Sequence, residues 1–364
     1  MQVLNLFAVA SMPVLKVLLI TALGLFLAFD NVNLLGPQAR HHINQVVFYV
    51  LNPTLVGGNL AKTVTYQSFL SLWFMPFNIL ITFILGSALG WLLIKITHPP
   101  QHLRGLILGC CAAGNLGNLP LIIIPAICKE KGSPLGSPDT CHTYGLAYAS
   151  LSMAIGAIFL WSYVYNIMRI SAKQVEEIEG ISDQLKQDSS HDDLTHALLL
   201  PHHSAQSEKF IAGFVIGLVP QIRNLLIGST APLHVIEDSA SFVGDAAIPI
   251  VTLILGANLL KGLRGSGIGI SIMIGILAVR YILLPLSGIL IVKTAVRFGA
   301  VNADPLYQFI LLLQYALPPA MNIGTMSQLF GSGQSECSVI MLWTYALASV
   351  SLTLWSTLFL WMVA

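Results

Sequence analysis

Long apolar runs, each bounded by a short polar stretch, recur along the whole chain. A membrane-spanning helix needs about 20 such residues. Ten runs meet or approach that length: 12–29, 43–61, 72–95, 105–128, 144–168, 209–228, 243–260, 267–293, 306–330 and 338–363. The pattern predicts an all-α membrane protein with ten transmembrane helices. The runs 72–95 and 267–293 are long enough to tilt. The run 243–260 is interrupted by Asp245. The first run reads as an uncleaved signal-anchor, because its start is uncharged and further spans follow.

Composition agrees with this pattern. Charged residues make up 9% of the chain and hydrophobic ones 55%, against roughly 25% charged in a soluble domain. The net charge of +1 comes with no basic patch, so no nucleic-acid partner is expected.

One polar segment, 169–208, divides the spans five and five. Three units follow: a first five-helix repeat at 1–168, a cytosolic linker at 169–208, and a second, inverted five-helix repeat at 209–364. The linker carries His191, His196, His202 and His203. These lack the spacing of a zinc site and have no cysteine partners, so neither metal nor cofactor is expected. A shift of 199 residues lays each span of the first half on one of the second. It sets "GGNLAK" at 57–62 on "GANLLK" at 256–261, Pro120 on Pro319, and Asn115 on Gln314. An odd number of spans per half means that the second copy enters the membrane from the opposite side. That is the inverted repeat common among secondary transporters, and it allows alternating access.

The fourth and ninth runs contain helix breakers. "CCAAGNLGNLPLIIIPAIC", 110–128, holds Gly114, Asn115, Gly117, Asn118 and Pro120. "LYQFILLLQYALPPAMNIGTMSQLF", 306–330, holds Gln314, Pro318, Pro319 and Asn322. Proline removes a backbone donor and clashes with the preceding turn. Backbone groups freed inside the bilayer are tolerated only where protein or a water-filled cavity satisfies them. Interrupted helices in matching positions of two halves point to a substrate site. Half-helix N-termini suit an anion such as a carboxylate. The amides of Asn115, Asn118, Gln314 and Asn322 add donors and acceptors at little desolvation cost. The plainer alternative is that the prolines only kink packed helices.

Other polar residues in the runs admit two readings each. Asn52-Pro53 and Pro249 either flank a substrate or kink a helix. Asp245 is either a coupling carboxylate or an interfacial one, since a mid-membrane charge costs about 2.5–3.5 kcal/mol on the lenient scale. Arg280 either pairs with a carboxylate or snorkels to the interface. Tyr315 lies beside the second break and Trp343 in the last run, but aromatics are common in membrane helices, so neither is assigned to a ligand. Cys128 and Cys141 bracket the loop "KEKGSPLGSPDT", and are either bridged or free. Lysines and arginines are distributed nine to six in favour of a cytosolic linker with both termini on the other side.

The motifs "GNLGNLPLIIIPAIC" and "QYALPPAMN", with ten spans around a central loop, resemble the plant PIN-LIKES family of the auxin efflux carrier superfamily. Asn118 with Ile124-Pro125 fits the first crossover of such carriers, and Gln314 to Pro318 fits the second. The resemblance implies a bile-acid-symporter-like fold with a scaffold and a mobile transport domain. It implies elevator-type transport of a small organic anion, with indole-3-acetic acid as the expected substrate and intracellular auxin homeostasis as the role. The short linker favours the endoplasmic reticulum membrane, with lumenal termini. The alternative is a sodium- or proton-coupled symporter of another organic anion on the same fold. No intramembrane pair of acids stands ready for sodium, and no His-Glu or paired-acid constellation supports an intramembrane enzyme. The expected partners are the anion and the lipid bilayer, with a homodimer left open.

Overall fold

The computed structural model describes residues 2–63, 72–129, 134–184, 216, 219–228, 231–263, 267–302 and 304–363; the side chains of 1–14, 48, 52, 56, 59–60, 62–63, 118, 175–184 and 261–263 lie outside the description. All of the extended elements described are helices: α1 (Gln2–Leu27), α2 (Pro37–Val46), α3 (Asn52–Thr63), α4 (Phe74–Thr97), α5 (Gln101–Ala112), α6 (Asn118–Lys129), α7 (Pro138–Phe159), α8 (Tyr165–Gln184), α9 (Pro220–Leu226), α10 (His234–Asp245), α11 (Ala247–Leu263), α12 (Ile270–Ala278), α13 (Leu284–Arg297), α14 (Pro305–Ala316), α15 (Asn322–Leu329) and α16 (Gln334–Val363). π-helical turns at Val47–Leu51, Leu160–Val164 and Val279–Leu283 join α2 to α3, α7 to α8, and α12 to α13.

Among the described residues, five continuous helical stretches are long and apolar enough to cross a membrane: Phe74–Thr97, Pro138–Gln174, His234–Leu260, Ile270–Arg297 and Gln334–Val363. They correspond to the third, fifth, seventh, eighth and tenth apolar runs. The first run lies in α1 and the second in α2–α3. Of the sixth, 209–228, residues 209–215, 217 and 218 lie outside the described residues, and its end holds α9. The fourth and ninth runs are the two that break. They form the pairs α5–α6 and α14–α15.

The polar segment that starts at position 169 begins as helix. Helix α8 continues to Gln184. The stretch Ala172, Lys173, Gln174, Glu176 and Glu177 is built from strong helix formers, and Gly180 is the first breaker. The four linker histidines lie outside the described residues.

Pro120 marks a restart rather than a break. It sits in the first turn of α6, after a real break, where the missing N–H would have no intrahelical partner anyway; Pro53, Pro249 and Pro285 sit early in segments that continue a preceding helix. For Pro120 this corrects the sequence reading. The helix is broken one turn earlier, at Ala113–Gly117, and Pro120 is buried inside α6. Its ring obstructs the carbonyl of the preceding turn, so the helix can resume only from Asn118.

Two groups of helices meet along an extensive interface, in which α1 packs on α6 and α16, α11 on α16, and α3 on α7. In the first group, α1 lies along α11, and α3 lies against α10. Gly24 and Gly256 allow the α1–α11 approach. A Cβ on Gly256 would lie 1.9 Å from Thr21 O, and one on Gly24 would lie 2.1 Å from Leu253 O. Small residues at a membrane helix interface let backbones touch in this way. The second group surrounds the broken helices. Here α4 packs on α5, α6 on α7, and α14 on α13 and α16.

Candidate functional site

The two broken helices cross at their breaks. Gly114 and Pro319 form an isolated antiparallel bridge. Asn115 N donates to Pro318 O at 2.8 Å, and Ala320 N donates to Ala113 O at 2.9 Å. Each unwound segment thus satisfies backbone groups that the other exposes. This meets the rule for polar backbone at membrane depth. Pro318 and Pro319 help, because neither brings a donor that would need a partner.

The crossing has its own register. Both α5 and α14 contain 12 residues, and they begin at Gln101 and Pro305. Both half-helices beyond the breaks begin with asparagine, Asn118 in α6 and Asn322 in α15. The crossing therefore matches Asn118 with Asn322, and Gly114 lies opposite Pro319. The 199-residue shift had instead matched Pro120 with Pro319 and Asn115 with Gln314. Sequence identity elsewhere set that offset, and the two halves differ in loop length before the breaks.

Side chains brace the crossing. Asn115 Nδ2 donates to Tyr345 Oη at 2.9 Å, and Tyr345 Oη donates to Pro319 O at 2.9 Å. Tyr345, from α16, therefore ties one break to the other. Gln314 turns into the bundle. Its Oε1 accepts from Asn78 Nδ2 at 2.8 Å, and its Nε2 donates to Ser152 Oγ at 3.0 Å. Asn78 also donates to Leu311 O at 3.1 Å and accepts from Tyr315 Oη at 3.0 Å. All of these side chains except Asn115 and Tyr345 are less than 2% exposed, and those two are 5% and 4% exposed.

Two small cavities flank the crossing. The first, about 50 Å³, is lined by Leu55, Gly114, Asn115, Trp161 and Asn322, among others. The second, about 30 Å³, is lined by Asn44, Asn258, Met321, Thr325 and Gln328, among others. Each lies where the first helix group meets the second. Volumes of this size admit a few water molecules, so neither cavity as it stands has room for a ligand as large as an indole. Across the second cavity, Asn44 Nδ2 donates to Gln328 Oε1 and Thr325 Oγ1 donates to Asn44 Oδ1, both at 3.2 Å. These bonds join α2 to α15.

Among the expected site residues, Asn115, Pro318, Pro319 and Asn322 come together at the crossing, with Pro120 buried one turn away. The side chains of Asn118 and Asn52 lie outside the described residues, though their backbones open α6 and α3. Gln314 is adjacent but lines neither cavity. Asp245 is exposed at the α10–α11 junction and lines neither cavity. Tyr315 packs inside the bundle, and Trp343 is 52% exposed. Cys128 and Cys141 are bonded as a disulfide that joins the end of α6 to the start of α7. Among the described residues, no group of three His, Cys, Asp or Glu side chains could hold a metal ion.

Arg280 resolves differently from both sequence readings. It is fully buried, so it does not snorkel. Among the described residues, the titratable groups that act on its charge are Cys111, Cys110, Tyr281 and Tyr345, none of them a carboxylate. Asn78, Ser152 and Tyr345 were missed. Each is a single polar residue in an apolar run, a weak signal that only contact with the crossing makes legible.

The chain is similar to known membrane proteins. Residues 9–356 match the family described as "Membrane transport protein". The Arabidopsis thaliana protein PIN-LIKES 1 is 54% identical over all of this chain and 81% of its own length. PIN-LIKES 3 of the same plant is 51% identical over the whole of both chains. PIN-LIKES 6 is 30% identical over 99% of this chain and 94% of its own.

Proposed function

This chain belongs to the membrane transport protein family, among the PIN-LIKES proteins, and we propose that it carries a small organic anion across the bilayer. The observation that supports this most is the crossing itself. Two unwound segments meet within the membrane, with the half-helices α6 and α15 starting beside a cavity that Asn115 and Asn322 line. Helix starts present positive dipole ends, and neutral amides complete the polar lining. That combination favours a carboxylate over a cation.

The proposed substrate is indole-3-acetic acid, and the proposed membrane is that of the endoplasmic reticulum. The likeness of both crossover motifs to auxin carriers, and the short linker, support these two points. The proposed mechanism is an elevator. The first helix group, α1 to α3 with α10 and α11, is the scaffold. The second group carries the crossing past it, and the two cavities are closed remnants of access from either side. The ten-span inverted repeat gives the two access states their near-symmetry, with both termini lumenal and the linker cytosolic.

The test is binding of indole-3-acetate to purified protein in lipid nanodiscs, with neutral indole and benzoate as comparators. Indole-3-acetate should bind at least tenfold more tightly than indole, the weight of one charged hydrogen bond of roughly 1.5–3 kcal/mol. Equal binding of indole and indole-3-acetate would overturn the anion reading.

A further inference from the structure

Arg280 sits in the π-helical turn Val279–Leu283, the eleventh residue of a 28-residue spanning helix. At 1.5 Å per residue that is about 15 Å from the helix start, near the middle of a hydrocarbon core roughly 30 Å thick. Its side chain is 0% exposed. Nε donates to Cys110 O at 2.6 Å. Nη1 and Nη2 have no hydrogen-bond partner among the described residues. A guanidinium stays protonated in proteins, so this is a full charge at mid-membrane without an acid beside it.

What stabilises that charge is the geometry of the breaks. α5 ends at Ala112 and α14 ends at Ala316, and the two ends meet at the crossing. Cys110, whose carbonyl takes Nε, lies in the last turn of α5. Arg280 Nη1 and the carbonyl of Gln314, in the last turn of α14, lie 3.3 Å and 3.7 Å from one point, the place of a Cβ on Gly114. The guanidinium therefore stands beside both C-terminal ends. Each helix C-terminus carries about half a negative elementary charge. Two such ends together offset about one positive charge. The glycine is part of the arrangement, because a side chain at position 114 would press on the guanidinium.

In transporters of this plan, half-helix C-terminal ends and unwound carbonyls coordinate the coupling cation. We propose that Arg280 is a tethered cation that permanently occupies that electrostatic position, so that the crossing holds its anion with no sodium bound. Arg280 is a positioning residue. It lines neither cavity, and it acts on the anion by neutralising the negative ends of α5 and α14 and so leaving the positive starts of α6 and α15 unopposed. This inference rests on the anion reading above, but the stability of the crossing depends on Arg280 whatever the substrate.

The experiment uses the full chain in lipid nanodiscs with two readouts: the dissociation constant for indole-3-acetate, and the apparent melting temperature as sodium or methylguanidinium is varied against choline. The wild-type protein should respond to neither cation. Arg280→Lys should retain both properties. Arg280→Met should melt lower and bind indole-3-acetate roughly tenfold more weakly. Arg280→Ala should melt lower in choline and recover in methylguanidinium. If Arg280→Ala does not fold, the Lys and Met variants decide the question. The inference is overturned if Arg280→Met melts like the wild type, if methylguanidinium fails to raise the melting temperature of a folded Arg280→Ala, or if sodium tightens wild-type binding tenfold. Failure of the wild-type protein to bind indole-3-acetate would sink the substrate reading alone, since the melting measurements stand without it.

Discussion

Tyr345 Oη lies 2.9 Å from both Asn115 Nδ2 and Pro319 O, so one phenol from α16 holds both broken helices. Loss of that hydroxyl leaves a buried carbonyl without its donor, at a cost of about 1–3 kcal/mol. Tyr345→Phe should therefore lower the melting temperature and weaken indole-3-acetate binding, with little change in ring packing. A variant that binds and melts like the wild type would show that the backbone bridge alone carries the crossing.

Asn115 and Gln314 should behave differently when truncated. Asn115 lines a cavity, whereas Gln314 is engaged by Asn78 and Ser152. Asn115→Ala should weaken anion binding about tenfold in folded protein. Gln314→Ala should first cost stability, about 1–3 kcal/mol, because it takes one hydrogen bond each from the buried Asn78 and Ser152. Thermal melting beside ligand titration separates the two. Equal loss of binding at equal stability would place Gln314 on the substrate.

The Cys128–Cys141 bond spans a separation of 13 residues. Closing a loop of that size removes roughly 3 kcal/mol of chain entropy from the unfolded state. Non-reducing mass spectrometry should find the linked peptide. Reduction, or Cys141→Ser, should lower the melting temperature. Two fully alkylatable thiols in protein from native membranes would count against the bond.

Gly256 faces Thr21 O so closely that a methyl group has no room. Gly256→Ala should force α1 and α11 apart and cost about 1–3 kcal/mol. Gly267→Ala, where a Cβ meets nothing within 4 Å, is the control. The two variants should differ clearly in detergent stability.

Asn44 ties α2 to α15 through Gln328 and Thr325. If the crossing moves past the scaffold, those bonds break in each cycle. Asn44→Ala should leave indole-3-acetate affinity within about twofold and change the transport rate several-fold, consistent with bonds worth about 1 kcal/mol each. Uptake into proteoliposomes measures the rate, and an unchanged rate would mean that α2 and α15 do not part.

By itself the sequence determined the class of protein and the place of its breaks. The apolar runs are long because hydrocarbon demands it. The clustered glycines, amides and prolines at 114–120 and 314–322 stand out because such residues are costly in a plain membrane helix. It also marked Cys128 and Cys141 as one of two outcomes. The tertiary structure alone decided what the breaks do to each other. Which carbonyl meets which N–H, and hence the pairing of Gly114 with Pro319, depends on two segments separated by about 200 residues arriving at one depth and angle. Sequence similarity at a fixed offset could not see that register, because loops of unequal length precede the two breaks. The same holds for Arg280, Asn78 and Tyr345. A lone polar residue in an apolar run acquires a role only from the partner that folding brings to it, and for Arg280 that partner is a backbone carbonyl, Cys110 O, which leaves no mark in the sequence.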